Sequence, residues 1–263
     1  MMLMLDDDFV FIVPTYRRNS IGACLHSLRS SGFSGRIVVC SPSYEDENSR
    51  SLSLQACSDY SAAYNEYDLM KPFSKGALLN AAIRSLSGHG YIVVTDVDIV
   101  WNYNALKCLQ RSSRPGNFQF CGRVIESNAS KVLTSPVFAV SIVSKRAVLE
   151  WGCDASRKDR PGYGIQSFDH DTFAKIGGYD NNFFGWGWED VDIILVASAL
   201  GFPIRRFGDL IHISHPPVGQ VGANQDTRKA HIIERASYSI RKIDAMSQAV
   251  HFPFSKSIVE GLQ

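Results

Sequence analysis

YIVVTDVDIV, residues 91–100, decides how this chain folds. It opens on four apolar or aromatic residues without alternation, the pattern of a strand covered by helices on both faces. It then runs into Asp96, Val97 and Asp98, two carboxylates at the strand's carboxyl end. In open α/β sheets ligands bind in the crevice beyond those ends. The reading is a single buried strand over 91–100 that delivers acid to a cleft.

The segments upstream fit the same sheet. FVFIVPTY (9–16) is a second buried strand, stopped by Pro14. Residues 19–30 carry Ile21, Cys24, Leu25 and Leu28 at helical spacing, with Gly32 just beyond. GRIVVCS (35–41) is another strand, 42–61 a polar loop holding at most a short helix, and KPFSKGALLNAAIRSLSG (71–88) a helix from about Lys75 to near Gly88. Strand and helix therefore alternate through the first hundred residues, which predicts a parallel sheet.

The second half is mixed. NALKCLQRS (104–112) predicts a short helix, and FQFCGRVIES (118–127) and SPVFAVSIVSKRAVL (135–149) together predict further strands or a strand and a helix. Residues 153–166 read as a polar, glycine-bearing loop, 168–180 as a short helix closed by Gly177 and Gly178, 189–201 as a firm helix, and 202–215 as a strand. A Pro/Gly/Gln/Asn loop over 216–227 leads to a helical tail. The expected organisation is one domain over 1–263, with a nucleotide-sized sheet first (1–100), a mixed second half (101–226) and the tail (227–263). The fold class is α/β: a mostly parallel central sheet flanked by helices, with a mixed second half.

Bulk properties narrow the function. A net charge of +1 and no dense Lys/Arg block argue against nucleic acid. The six cysteines, Cys24, Cys40, Cys57, Cys108, Cys121 and Cys153, include no CxxC pair, so a thiolate zinc site is not expected and buried reduced thiols are. No run reaches the roughly 18 apolar residues of a bilayer span. Asp6, Asp7 and Asp8 interrupt the apolar N-terminus where a signal peptide needs continuity. A cytoplasmic protein is expected. Lys229, Arg235 and Arg241 in the tail leave peripheral contact with the inner face of a membrane open.

Three clusters carry chemistry. In TDVDIV (95–100), one carboxylate can face a hard cation while the other reaches a sugar hydroxyl or loop backbone; a solvated strand end is the competing account. In IHISH (211–215), His212 and His215 stand three apart, a spacing that converges on a metal if the backbone turns and diverges if it stays extended. In FFGWGWEDVD (183–192), Glu189 and Asp190 open a helix, where unpaired N–H groups favour carboxylates. Capping explains one acid but not the tryptophans upstream. Trp186 and Trp188 suit a carbohydrate subsite, with core packing as the alternative, and an adjacent carboxylate can accept a hydroxyl proton. Arg17, Arg18 and Lys75 offer cations to a diphosphate.

Taken together, VPTYRR (13–18), FSKGALLNAA (73–82), TDVDIV (95–100), FDHDTFAKIGGYDNNFFGWGWEDVDI (168–193) and IHISH (211–215) resemble the glycosyltransferases of the GT-A fold. The likeness is to galactosyltransferase-type enzymes, including the beta-1,4-galactosyltransferases and bacterial polymerising enzymes with a similar second half, while the first half resembles bacterial family-2 glycosyltransferases. GWGWED is its most specific element. The resemblance implies Pro14, Thr15 and Arg18 beside the nucleotide, Phe73 near the uracil and Lys75 toward nucleotide or phosphate. It implies Asp96 and Val97 on the donor side, with Tyr163 and Gly164 in the donor pocket. Asp98 would ligate Mn²⁺, or Mg²⁺ in its place, completed by His215 and His212. Asp190 would be the catalytic base, Glu189 a ligand for sugar hydroxyls, and Trp186, Gly187 and Trp188 the walls of the sugar sites. CSPSYEDE stands where many relatives have an acidic loop like DDGS, so the acid that meets uridine is not assigned.

The implied function is inverting transfer of a hexose or N-acetylhexosamine, galactosyl or N-acetylgalactosaminyl first, from a UDP-sugar to a saccharide or lipid-linked acceptor. A retaining transferase, a sugar nucleotidyltransferase and a non-catalytic carbohydrate-binding protein are the alternatives.

Overall fold

A computed structural model describes residues 6–86, 90–127, 135–143, 146–154, 159–184 and 189–213. The first half runs β1 (Phe9–Pro14), α1 (Ile21–Ser30), β2 (Arg36–Pro42), α2 (Glu47–Asp59), β3 (Ala63–Tyr67), α3 (Lys75–Arg84) and β4 (Tyr91–Val94). The second runs β5 (Ile99–Val100), α4 (Tyr103–Ser112), β6 (Phe118–Glu126), β7 (Ser135–Val143), β8 (Arg146–Asp154), β9 (Asp159–Asp169), α5 (His170–Ile176), α6 (Glu189–Ala199) and β10 (Ile204–His212).

Eight strands form one sheet in the order β3-β2-β1-β4-β9-β6-β10-β5, and β7 and β8 form a separate antiparallel hairpin. β1 pairs in parallel with β2 and β4, as the first half predicts, and β2 pairs in parallel with β3, a strand the sequence reading did not anticipate. β9 is antiparallel to both β4 and β6, while β6 and β10 are parallel. The expected mixed second half thus joins the same sheet.

Why the early strands are apolar throughout is visible in β1. Phe9, Phe11 and Val13 pack with Cys24, Leu25 and Leu28 of α1, while Val10 and Ile12 pack on the opposite face with Leu78, Leu79 and Ala82 of α3 and Ile193 and Ile194 of α6. Successive side chains in a strand point to opposite faces, so a sheet covered twice needs both sets apolar. α6 is buried on nearly every side, the expected state of a helix apolar around its circumference.

Three expectations need correction. The strand read over 91–100 is two: β4 stops at Val94, residues 95–98 turn, and β5 pairs antiparallel with β10. The loop read over 42–61 holds the 13-residue α2, capped by the Asp46 carboxylate accepting the Ser49 N–H at 3.0 Å, followed by β3. Ser49, Ser53 and Cys57 fill its inward positions, so the apolar periodicity that betrays a helix is missing. Residues 153–166 are mostly strand: β8 reaches Asp154 and β9 begins at Asp159. The glycines there serve close packing, since a Cβ on Gly162 would sit 2.7 Å from Cys121 Cβ. Among the described residues no helix is long and apolar enough to cross a membrane. The tail read as helix lies outside them.

Candidate active site

The two aspartates of the 95–98 turn diverge. Thr95 N–H donates to Ile12 O at 3.0 Å and Ile99 N–H to Asp96 O at 3.3 Å, closing the turn at the end of β4. Trp101 braces it from below, its indole N–H donating to Thr95 Oγ1 at 3.0 Å. Val97 sends its side chain into the core. Asp96 turns toward α3, and Asp98 toward β10.

On the α3 side, Ser74 caps the helix by accepting the Ala77 N–H at 3.2 Å, which sets Lys75 at the first helical position. Lys75 Nζ lies 2.5 Å from Asp96 Oδ1 and 3.3 Å from Glu189 Oε1. The second contact is an ion pair without hydrogen-bond geometry. Lys75 and Glu189 side chains are 4% and 1% exposed, so the ammonium depends on Asp96 and Glu189, and the Glu189 charge on Lys75. Burial disfavours the ammonium, yet Asp96, Glu189 and Asp190 outweigh it and hold the Lys75 pKa above its usual value. Burial also pushes the Glu189 carboxyl up to about 7, against the pull of Lys75 and with help from Asp190 and Asp96. Gly164 lets Asp96 sit where it does, because any Cβ there would overlap the Asp96 carboxylate.

Asp190 follows at the N-terminus of α6. Its Oδ1 accepts the Val191 N–H at 2.8 Å, and its carbonyl accepts Gln166 Nε2 at 2.8 Å. Gln166 also donates to Tyr163 O at 2.8 Å and accepts the Tyr179 hydroxyl at 2.6 Å, so one buried amide ties β9 to the start of α6. Asn80 continues the frame, donating to Tyr179 O at 2.8 Å and accepting the Tyr179 N–H at 2.9 Å. Tyr163 packs beside Phe120, and burial raises its hydroxyl to about 12.

Asp98 faces β10. Its Oδ2 lies 3.5 Å from His212 Nε2, and its backbone carbonyl accepts the Ile213 N–H at 2.8 Å. Behind the imidazole stands Glu126, with oxygens 2.9 and 3.0 Å from His212 Nδ1. Among the described residues no group of three or more such side chains closes around a point as a complete metal centre. An aspartate oxygen and an imidazole nitrogen 3.5 Å apart, with the other ring nitrogen held by a carboxylate, do fit as part of one. That mixed N/O donor set suits Mn²⁺.

At the head of β1, Thr15 is buried and donates its N–H to Cys40 O at 2.8 Å. Arg18 is half-buried at the end of the VPTYRR loop. Tyr16 stacks on Phe73 with centroids 4.4 Å apart, Tyr44 meets Tyr16 edge-on at 6.0 Å, and Lys71 Nζ sits 5.0 Å over Tyr44.

Of the residues singled out in the sequence, Lys75, Asp96, Gly164 and Glu189 meet directly, and Asp98 and His212 meet beside them. Trp186, Gly187, Trp188 and His215 lie outside the described residues. Sequence reading missed Glu126, Gln166, Tyr16 and Tyr44. The first two left a trace, as polar residues at positions where a buried strand should be apolar.

Comparisons with known proteins bear on the fold and on one segment of the chain. Residues 144–216, spanning β8 to the end of IHISH, match the family model described as the N-terminal domain of galactosyltransferase. No curated protein matches the chain in sequence. Among solved structures, GalNAc-T7 with UDP, GalNAc and Mn²⁺ superposes with a TM-score of 0.61 at 13% identity, over 94% of this chain and 52% of that one. A mannosyltransferase from Pyrobaculum calidifontis in complex with GDP-Man and Mn²⁺ gives 0.53 at 15% identity, over 95% and 77%. A Drosophila beta-1,4-galactosyltransferase 7 mutant with manganese, UDP-Gal and xylobiose gives 0.51 at 15%, over 83% and 77%. The fold is the one these three glycosyltransferase structures share, and the galactosyltransferase match is confined to residues 144–216.

Proposed function

We propose that the chain is a single-domain, divalent-metal-dependent glycosyltransferase. It moves a hexose or N-acetylhexosamine, galactosyl or N-acetylgalactosaminyl first, from a UDP-sugar to a saccharide or lipid-linked acceptor with inversion at the anomeric carbon. The observation that carries this reading is Lys75 bridging Asp96 and Glu189, which brings the DVD turn and the ED pair together at one point. The eight-stranded sheet running from β1 through β10 supports treating both halves as one catalytic unit.

On this reading, Tyr16 and Phe73 receive the uracil, with Pro14, Thr15 and Arg18 around the nucleotide. Asp96, held by Lys75 and Gly164, accepts hydrogen bonds from the donor, and Tyr163 lines its pocket. Asp98 and His212, with His215, hold Mn²⁺ or Mg²⁺. Bound there, such an ion supplies Lewis-acid help to the leaving diphosphate.

Asp190 takes the proton of the acceptor hydroxyl as that oxygen attacks the anomeric carbon and the bond to the UDP oxygen breaks. Its carboxylate is oriented by the Val191 N–H and its backbone by Gln166. Glu189, buried against Lys75, holds the start of α6 that carries Asp190, and Trp186, Gly187 and Trp188 wall the acceptor. The test is a screen of UDP-sugars for Mn²⁺-dependent UDP release, followed by NMR of the product anomer. A retained configuration would overturn inversion, and release that ignores metal would overturn the metal role.

A further inference from the structure

Glu126 lies outside every motif so far discussed, yet it touches the candidate metal site. It closes β6, and in the parallel pairing of β6 with β10 its direct partner is His212. β10 also pairs antiparallel with β5, where Ile99 is the partner of His212. The imidazole therefore projects from a strand clamped on both sides. The Ser127 N–H donates to His212 O at 2.9 Å, and the Ile213 N–H to Asp98 O at 2.8 Å, which pins the register at this point. The Glu126 side chain is 3% exposed and the His212 side chain 13%.

Both Glu126 oxygens are within hydrogen-bond reach of Nδ1, at 2.9 and 3.0 Å, while Nε2 faces Asp98 at 3.5 Å. An ionised carboxylate only accepts, so Nδ1 must be the donor. In the neutral ring the lone pair then falls on Nε2, the nitrogen directed at Asp98. Metal-bound histidines are commonly held this way, by an outer carboxylate that fixes tautomer and ring plane and raises ligand basicity.

We infer that Glu126 is the positioning residue of the metal site, acting through His212 to present Nε2 as a ligand beside Asp98. The inference rests on the metal-dependent reading above. Glu126 itself touches neither substrate nor ion.

The test is Mn²⁺ affinity, read from the paramagnetic resonance signal of unbound ion as Mn²⁺ is titrated with UDP present and corrected for UDP alone. Glu126→Ala should weaken Mn²⁺ binding toward 100-fold, and Glu126→Gln, which keeps an acceptor oxygen without the charge, by about 10-fold. In a His212→Ala background, adding Glu126→Ala should change the affinity little, because the residue acts only through the ring. If Glu126→Ala does not fold, Glu126→Gln decides. Affinities of the Glu126 variants equal to that of the unaltered protein would overturn the inference and leave the metal reading standing. Equal further weakening in the His212→Ala background would overturn it too. Unaltered protein that takes up no Mn²⁺ would overturn both.

Discussion

The Lys75 ammonium lies 3.3 Å from Glu189 Oε1, and both side chains are sealed from solvent. One opens α3 and the other α6, so the pair welds two helix N-termini under the cleft. Removing one member of a buried pair strands the other charge. Lys75→Met should lower unfolding free energy by about 3–5 kcal/mol. Denaturant titration measures it, and a variant as stable as the parent would show that the pair is not integral to the fold.

The same contact predicts a pH dependence. Burial raises the Glu189 carboxyl from an ordinary 4.5 to about 7, so the folded chain holds this proton more tightly than the unfolded one. Its contribution is fully present below the unfolded value and is lost as pH rises through the folded one. Stability of the parent should therefore fall between about pH 4.5 and 7 relative to Glu189→Gln. Parallel stability curves for the two proteins across that window would contradict the assignment.

Asp190→Asn keeps the shape of the α6 start and removes the proposed proton acceptor. Turnover should fall by about 10²- to 10⁴-fold, the usual scale for losing a general base. UDP affinity should hold, since the donor side is untouched. Comparing single-turnover rates with UDP binding separates the two, and near-normal turnover would remove Asp190 from the mechanism.

Gly164→Ala forces a methyl group into the Asp96 carboxylate. Overpacking of this kind costs about 1–3 kcal/mol, and here it should also displace Asp96 from Lys75. Donor KM should rise more than stability falls. An alanine variant with unchanged donor kinetics would show that Asp96 does not depend on this approach.

The two-faced apolar strands made β1, β2 and β4 legible from sequence, as did the helical spacing of α1, α3 and α6. Three signals failed for physical reasons. In α2, small serines occupy the inward face and erase the periodicity. In β9, Gly162 and Gly164 read as loop residues because their task, close approach to Cys121 and Asp96, leaves no trace in local pattern. In 95–98, two aspartates looked like a strand end when they form a turn that sends one carboxylate to each side. The site shows the same division. Asp96, Asp98, Glu189, Asp190 and His212 stood out by chemistry and spacing, whereas Glu126 and Gln166 act through neighbours that only the three-dimensional pairing of β6, β9 and β10 supplies.

Asp98 is the residue on which metal-dependent donor binding depends. Calorimetry of UDP binding, with and without Mn²⁺, on the unaltered protein and on Asp98→Ala is the measurement that tests it. Mn²⁺ should strengthen UDP binding in the unaltered protein and leave Asp98→Ala at its metal-free affinity. Equal UDP affinity for the two proteins in the presence of Mn²⁺ would contradict it.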